Sequence, residues 1–218
     1  MTRSSPLIMK TIPTLDALKA QYPGLKALFF DMDGTIFNTE SHHAQAFWKI
    51  GLDHKIRPTL PPDAIHALLM GKADYLVFDI VKDWEGFPPH WSVEEFISIK
   101  NQNLLDILSH IEPGTYFAKE IGILLQQAKL DNFYLALVTS SEKIITERLL
   151  KLAGLDNFFH LEITRDDCPA HKPDPWPYLQ ALNTSGYRAH ETLIFEDSHV
   201  GLTSALGSGA HVIKVEWY

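Results

Sequence analysis

Four short apolar runs punctuate the chain, and each ends in polar residues. They are Ala27–Phe30 before Asp31, Phe133–Val138 before Thr139, Thr192–Phe195 before Glu196, and Val212–Val215. Apolar runs of this length without alternation fit strands buried on both faces, as in a parallel sheet. Phe158–Ile163 is a weaker fifth candidate. Helical patterns lie between them at Ser141–Leu152, Asp174–Leu182 and Ser198–Leu206. The alternation predicts an α/β fold: a doubly wound, mostly parallel, Rossmann-like sheet with right-handed crossovers and helices on both faces.

The stretch from Thr39 to Glu112 breaks that alternation. It carries no convincing strand run, and Val93, Phe96, Ile97, Leu104, Ile107, Leu108 and Ile111 fall largely on one helical face. Breakers at Pro58, Pro61-Pro62, Gly86 and Pro88-Pro89 divide it, and Pro113-Gly114 closes it. The organisation expected is therefore a core made of 1–38 and 113–218, with 39–112 inserted as an α-helical cap domain. Residues 1–24 read as a leader with a helix over Thr14–Gln21, packed on the outside. With no further strand after Val215, that sheet edge is expected to be less covered, with Trp217 and Tyr218 packing over it or mediating a dimer.

Charge narrows the field. Lys and Arg number 19 against 27 Asp and Glu, a net charge of −8 with histidines neutral. This argues against broad attraction to nucleic acid or anionic membranes, though not against a local basic pocket. Cys168 is the only cysteine, so no intramolecular disulfide framework or multi-cysteine zinc site is expected. The 11 histidines are scattered without an H-x-x-x-H pair. No apolar run approaches the ~20 residues of a membrane span, and the first residues lack a secretory apolar segment. A soluble, cytoplasmic protein, monomeric or weakly dimeric, is the expectation. Trp84, Trp91 and Trp176 read as packing residues.

The chemistry lies where the strands end, which is where ligands bind in open parallel sheets. The first strand runs into Asp31-Met-Asp-Gly-Thr35. Asp31 and Asp33 can divide the labour, one attacking and the other handling a proton. A turn with a helix cap would use the same residue types. The second strand leads into Thr139-Ser140-Ser141, whose hydroxyls suit either a phosphate seat or a helix cap. Lys172 is pinned by Pro173 and Pro175, so its ammonium can hold a phosphate or a carboxylate. The strand over Thr192–Phe195 leads into Glu196-Asp197-Ser198, and then Gly201; these acids can ligate Mg²⁺. Two acidic tips, a hydroxyl tip and a fixed lysine at one sheet edge are far more specific together than singly.

In this order, D-x-D-G-T, the strand-tip Thr139, Lys172-Pro173 and E-D-S-x-x-G make the sequence resemble the haloacid dehalogenase-like hydrolases. The likeness runs from about Lys26 onward and is closest to the branch that includes β-phosphoglucomutase and small-metabolite phosphatases. The resemblance implies that Asp31 is the nucleophile, forming an aspartyl-phosphate. Asp33 would protonate the leaving oxygen and then deprotonate the attacking water. Thr139, Ser140 and Lys172 would hold phosphoryl oxygens. Mg²⁺ would sit on the carboxylates of Asp31 and Asp197 and the Asp33 carbonyl, with Glu196 a further ligand. Such an assembly neutralises the charge that spreads in phosphoryl transfer.

Within that family, a second acid at Asp33 favours phosphoryl chemistry over carbon–halogen cleavage. His43 and Thr39 match residues the mutase places near its hinge. The loop Met70-Gly-Lys-Ala-Asp74 has the glycine but lacks the mutase's arginine, with Lys72 as an imperfect substitute and Asp74 expected to repel a second phosphate. The expectation is a Mg²⁺-dependent phosphatase acting on a small phosphorylated metabolite, a sugar phosphate or related monoester. A phosphosugar mutase is the alternative, and a catalytically silent phosphate-binding relative a lesser one. Receiver-type signalling domains use similar groups, but they place metal acids before the acceptor strand and have no cap.

Overall fold

The computed structural model describes residues 6–59, 61, 65 and 74–218. The chain divides into two compact units, one formed by 1–38 with 113–218 and the other by 39–112. The first unit holds six strands: β1 (Leu7–Met9), β2 (Ala27–Phe30), β3 (Tyr134–Val138), β4 (Leu161–Ile163), β5 (Thr192–Glu196) and β6 (His211–Val215). They form one sheet in the order β1-β6-β5-β2-β3-β4, and every pairing is parallel. The fold is α/β and Rossmann-like. All four residues of β2 are buried, as are all five of β5, which is why neither alternates in sequence.

The helices of this unit are α1 (Leu15–Gln21), α5 (Lys119–Leu130), α6 (Lys143–Leu152), α7 (Trp176–Ser185) and α8 (His199–Ser208). Alternate strand residues point to opposite faces. Ala27, Phe29, Ala136, Val138, Ile194 and Val212 share one core cluster with Tyr178 and Ala181 of α7 and Leu202 and Ala205 of α8. α5 packs on β3, and α1 packs on α5.

Two elements of this unit escape the sequence reading. α5 buries Ile121, Leu124, Leu125 and Ala128, a clean helical spacing between Gly114 and β3. β1 lies in the stretch read as a leader and pairs with β6, Leu7 opposite Ile213. That corrects the expectation of a poorly covered edge. β1 covers β6, while Trp217 and Tyr218 turn to the loop after β2 instead: the Trp217 Nε1 donates to Thr35 O and the Tyr218 hydroxyl to Ile36 O.

In the second unit the described helices are α2 (Glu40–His54), α3 (Asp74–Val81) and α4 (Val93–Ser109). Ile50, Ile56, Ile65, Val77, Val81, Trp91, Phe96 and Ile97 form its core, with Trp84 packed against it. Phe96, Ile97, Leu104 and Leu108 of α4 are buried as their spacing predicts, but Lys100 and Asn101 are buried with them. No helix among the described residues is long and apolar enough to cross a membrane.

Candidate active site

β2 is the strand at which the winding reverses: the chain passes from it to β3 on one side and later returns to β5 on the other. This is the switch point where a parallel sheet opens a crevice. Phe30 lies opposite Phe195 and Leu137 at the ends of the two ladders. The Asp31 N–H donates to Phe195 O at 3.0 Å, which sets Asp31 beside Glu196.

Lys172 closes this group. Its ammonium donates to Asp31 Oδ1 at 2.7 Å, Glu196 Oε1 at 2.6 Å and Val138 O at 2.8 Å, using all three of its N–H groups. The side chain is only 4% exposed. The loop that delivers it is held from α8, where the Ser204 hydroxyl donates to Asp174 O at 2.6 Å. Asp174 Oδ1 in turn accepts the Trp176 N–H at 2.8 Å, where α7 begins.

Asp31, Glu196 and Asp197 each offer a carboxylate oxygen within 4.8 Å of the other two. Two of these carboxylates share the Lys172 ammonium, and the third adjoins them in a largely buried place. Burial raises the Asp31 carboxyl well above the ordinary range; Lys172 opposes this, and Glu196 and Asp197 add to it. Burial also works against the Lys172 charge, but Asp31 and Glu196 outweigh it and raise its pKa. The donors are hard oxygens with surplus negative charge, so the chemistry of the set fits a divalent cation such as Mg²⁺.

Two glycines make the crowding possible. Gly34 has φ +80°, and a Cβ on it would come within 2.1 Å of Asp197 Oδ2. A Cβ on Gly201 would lie 2.0 Å from Glu196 Oε2. Both positions need hydrogen where any other residue carries carbon.

Asp33 is half-buried, and its Oδ2 accepts the Ser141 hydroxyl at 2.6 Å. Thr139 is buried, and its Oγ1 accepts the Ser141 N–H at 3.0 Å, a turn within the loop. It does not cap α6, whose N-cap is Glu142. Ser140 is exposed, and the serine that bonds Asp33 is its neighbour, Ser141. Sequence reading also missed Tyr178, which is fully buried and donates to Glu196 Oε1 at 2.7 Å, with Lys172 Nζ 5.0 Å from its ring centre. An apolar-looking helix face gives no sign that a tyrosine on it supports a carboxylate.

The structure thus gathers Asp31, Lys172, Glu196 and Asp197 and sets Asp33 and Thr139 in the adjoining loops. His43 belongs to the other unit, half-buried in the first turn of α2, with its N–H donating to Thr39 O at 3.0 Å. Lys72 lies outside the described residues. Asp74 accepts from the Lys100 ammonium at 2.8 Å, so the charge expected to repel a second phosphate is already partnered.

The sequence model of the haloacid dehalogenase-like hydrolases matches residues 28–215, which takes in the whole cluster. The chain belongs to this family. This haloacid dehalogenase-like hydrolase is 26% identical over 194 residues to phosphoglycolate phosphatase of Nitrosospira multiformis, covering 88% of this chain and 84% of that protein. It is likewise 26% identical over 200 residues to fructose-1-phosphate phosphatase of Escherichia coli, covering 89% and 98% respectively. Among solved structures, CbbY from Rhodobacter sphaeroides in complex with phosphate superposes with a TM-score of 0.77 at 23% identity, over 88% of this chain and 85% of that one.

Proposed function

We propose that this hydrolase is a Mg²⁺-dependent phosphatase of small phosphorylated metabolites, a sugar phosphate or related monoester. The observation that carries the reading is the strand-tip cluster of Asp31, Lys172, Glu196 and Asp197 with Asp33 in the next loop. The phosphatases among its relatives support it. Asp31 attacks phosphorus as the bond to the leaving oxygen breaks, and Asp33 gives that oxygen its proton. Asp33 then takes a proton from water as the water oxygen attacks the aspartyl-phosphate, and Asp31 leaves as carboxylate with release of phosphate. Lys172 orients the Asp31 carboxylate and lends positive charge beside the transferring group, while the Thr139–Ser141 loop receives phosphoryl oxygens.

The carboxylates of Asp31 and Asp197, with the Asp33 carbonyl, would hold Mg²⁺, and Glu196 would support them. Bound there, the ion neutralises charge on the phosphoryl oxygens. We assign the unit 39–112 the role of a cap that selects substrate, which suits a small metabolite better than a polymer. A single cysteine suits the cytoplasmic setting we propose, with a monomer or weak dimer as the working form.

The test is release of phosphate from a general aryl phosphate with Mg²⁺, lost on adding chelator and in Asp31→Asn. Full activity in that variant, or without metal, contradicts the mechanism. A screen over metabolite phosphates then names the substrate. A second reading, a phosphosugar mutase, gains from the Lys100–Asp74 pair, which removes one objection to a second phosphate. Incubation of β-glucose 1-phosphate with a bisphosphate primer separates the two. Free phosphate supports hydrolysis; glucose 6-phosphate with little free phosphate supports the mutase.

A further inference from the structure

The loop that carries Asp33 is a tight turn built on one carbonyl. Met32 O accepts the N–H groups of Ile36 and Phe37 at 2.8 and 2.9 Å, and that of Thr35 at 3.3 Å. The Gly34 N–H donates to Phe37 O at 2.7 Å. These bonds shape the turn but do not anchor it to its surroundings.

Anchoring comes from residues far along the chain. The Trp217 Nε1 donates to Thr35 O at 2.9 Å, and its ring lies 6.0 Å from that of Phe195 in β5. The Tyr218 hydroxyl donates to Ile36 O at 2.6 Å and accepts the Ala118 N–H at 3.3 Å. One hydroxyl therefore joins the segment leaving β2 to the segment leading into α5. The two segments also meet directly: the Asn38 N–H donates to Tyr116 O at 2.7 Å, and Phe37 lies 5.5 Å from the ring of Phe117. Thr35 and Ile36, whose carbonyls are gripped, follow Asp33 by two and three positions. A shift of this loop would move Asp33 relative to Asp31, which the β-ladder holds separately.

We propose that Trp217 and Tyr218 are positioning residues: they brace the loop after β2 so that Asp33 meets the leaving oxygen. The proposal rests on the proton-transfer role given to Asp33 above. It makes a specific demand. A misplaced general acid harms esters whose leaving group needs a proton far more than those whose leaving group departs as a stable anion. A loss of overall stability would lower activity on both alike.

The experiment compares kcat/KM for p-nitrophenyl phosphate and for ethyl phosphate in the wild type, Tyr218→Phe and Trp217→Phe. Both variants keep an aromatic ring; Tyr218→Phe removes only the hydroxyl, while Trp217→Phe removes the indole N–H together with part of the ring. The expected result is a loss of roughly tenfold on ethyl phosphate with less than about a twofold loss on p-nitrophenyl phosphate, a fraction of what a general acid contributes. Equal losses on the two esters, or none, overturn the proposal. Amide hydrogen exchange reads the brace without any catalysis. The Gly34 and Phe37 amides should exchange about tenfold faster in Tyr218→Phe, and unchanged exchange also overturns the proposal. Should the wild type cleave neither ester, amide exchange decides whether the brace exists.

Discussion

Each unit of this protein buries a lysine beside an aspartate, and the two pairs differ in what surrounds them. Lys100 in the helical unit donates to Asp74 at 2.8 Å and to Asn101 Oδ1 at 3.0 Å. There one cation meets one anion among the described residues, and the Lys100 Nζ lies 5.7 Å from the centre of the Phe47 ring. Lys172 in the sheet unit meets Asp31 and Glu196, with Asp197 adjoining them. The side chains are 3% and 4% exposed, so burial does not distinguish them. Charge balance does. The Lys100–Asp74 pair sets one carboxylate on one ammonium, whereas at Lys172 two carboxylates share the ammonium and a third lies within 4.8 Å of both. Acids crowded so that they perturb one another gather at functional sites.

The comparison can be broken by removing each lysine in turn. Lys172→Met should cost about 10²–10³ in kcat, because a preset positive charge leaves the transferring group. It should also destabilise the fold, and adding Asp31→Leu should restore little, since Glu196 and Asp197 still face each other. Lys100→Met should destabilise by about 3 kcal/mol in urea denaturation, with most of this recovered in the double variant with Asp74→Leu. Recovery at the Lys172 site equal to that at the Lys100 site would erase the distinction between them.

A smaller effect sharpens the reach of Lys172. Burial, aided by Asp167 and opposed by Lys172, pushes the Cys168 thiol up to about 11. At pH 8 iodoacetamide should therefore label Cys168 about 100-fold more slowly than an exposed cysteine, the rate rising about tenfold per pH unit as thiolate forms. Rapid labelling at pH 8 would mean that Lys172 outweighs burial and Asp167 at this thiol. The smallest effect belongs to Tyr178→Phe, which removes one donor from Glu196 and should cost about 1–2 kcal/mol of stability, measured by urea denaturation.

Most of the site was legible in sequence, for a physical reason. In a parallel sheet the strand tips carry the chemistry, and a fully buried strand announces its tip by where apolar residues stop. Asp31, Thr139 and Asp197 follow such stops, and the prolines on either side of Asp174 single out Lys172. Glu196 is the exception in kind: the structure counts it as the last residue of β5, buried because Lys172 and Tyr178 satisfy it. What was illegible depends on partners distant in sequence. β1 is three residues long and is a strand only because β6 pairs with it. Ser141 and Ser140 are equivalent in composition, and only the path of the loop decides which one meets Asp33. Lys100 interrupts an apolar helix face in a way that reads as exposure until Asp74 is seen beside it. α5 is a different case, since its apolar spacing is present in the chain itself.

Asp31, fixed by the Lys172 ammonium at the tip of β2, is the proposed nucleophile. Borohydride added during turnover of an aryl phosphate reduces an acyl phosphate to the alcohol, and peptide mass spectrometry locates the change. Homoserine is expected at position 31, formed only when substrate is present. Reduction at another carboxylate, or at none while phosphate is being released, would contradict it.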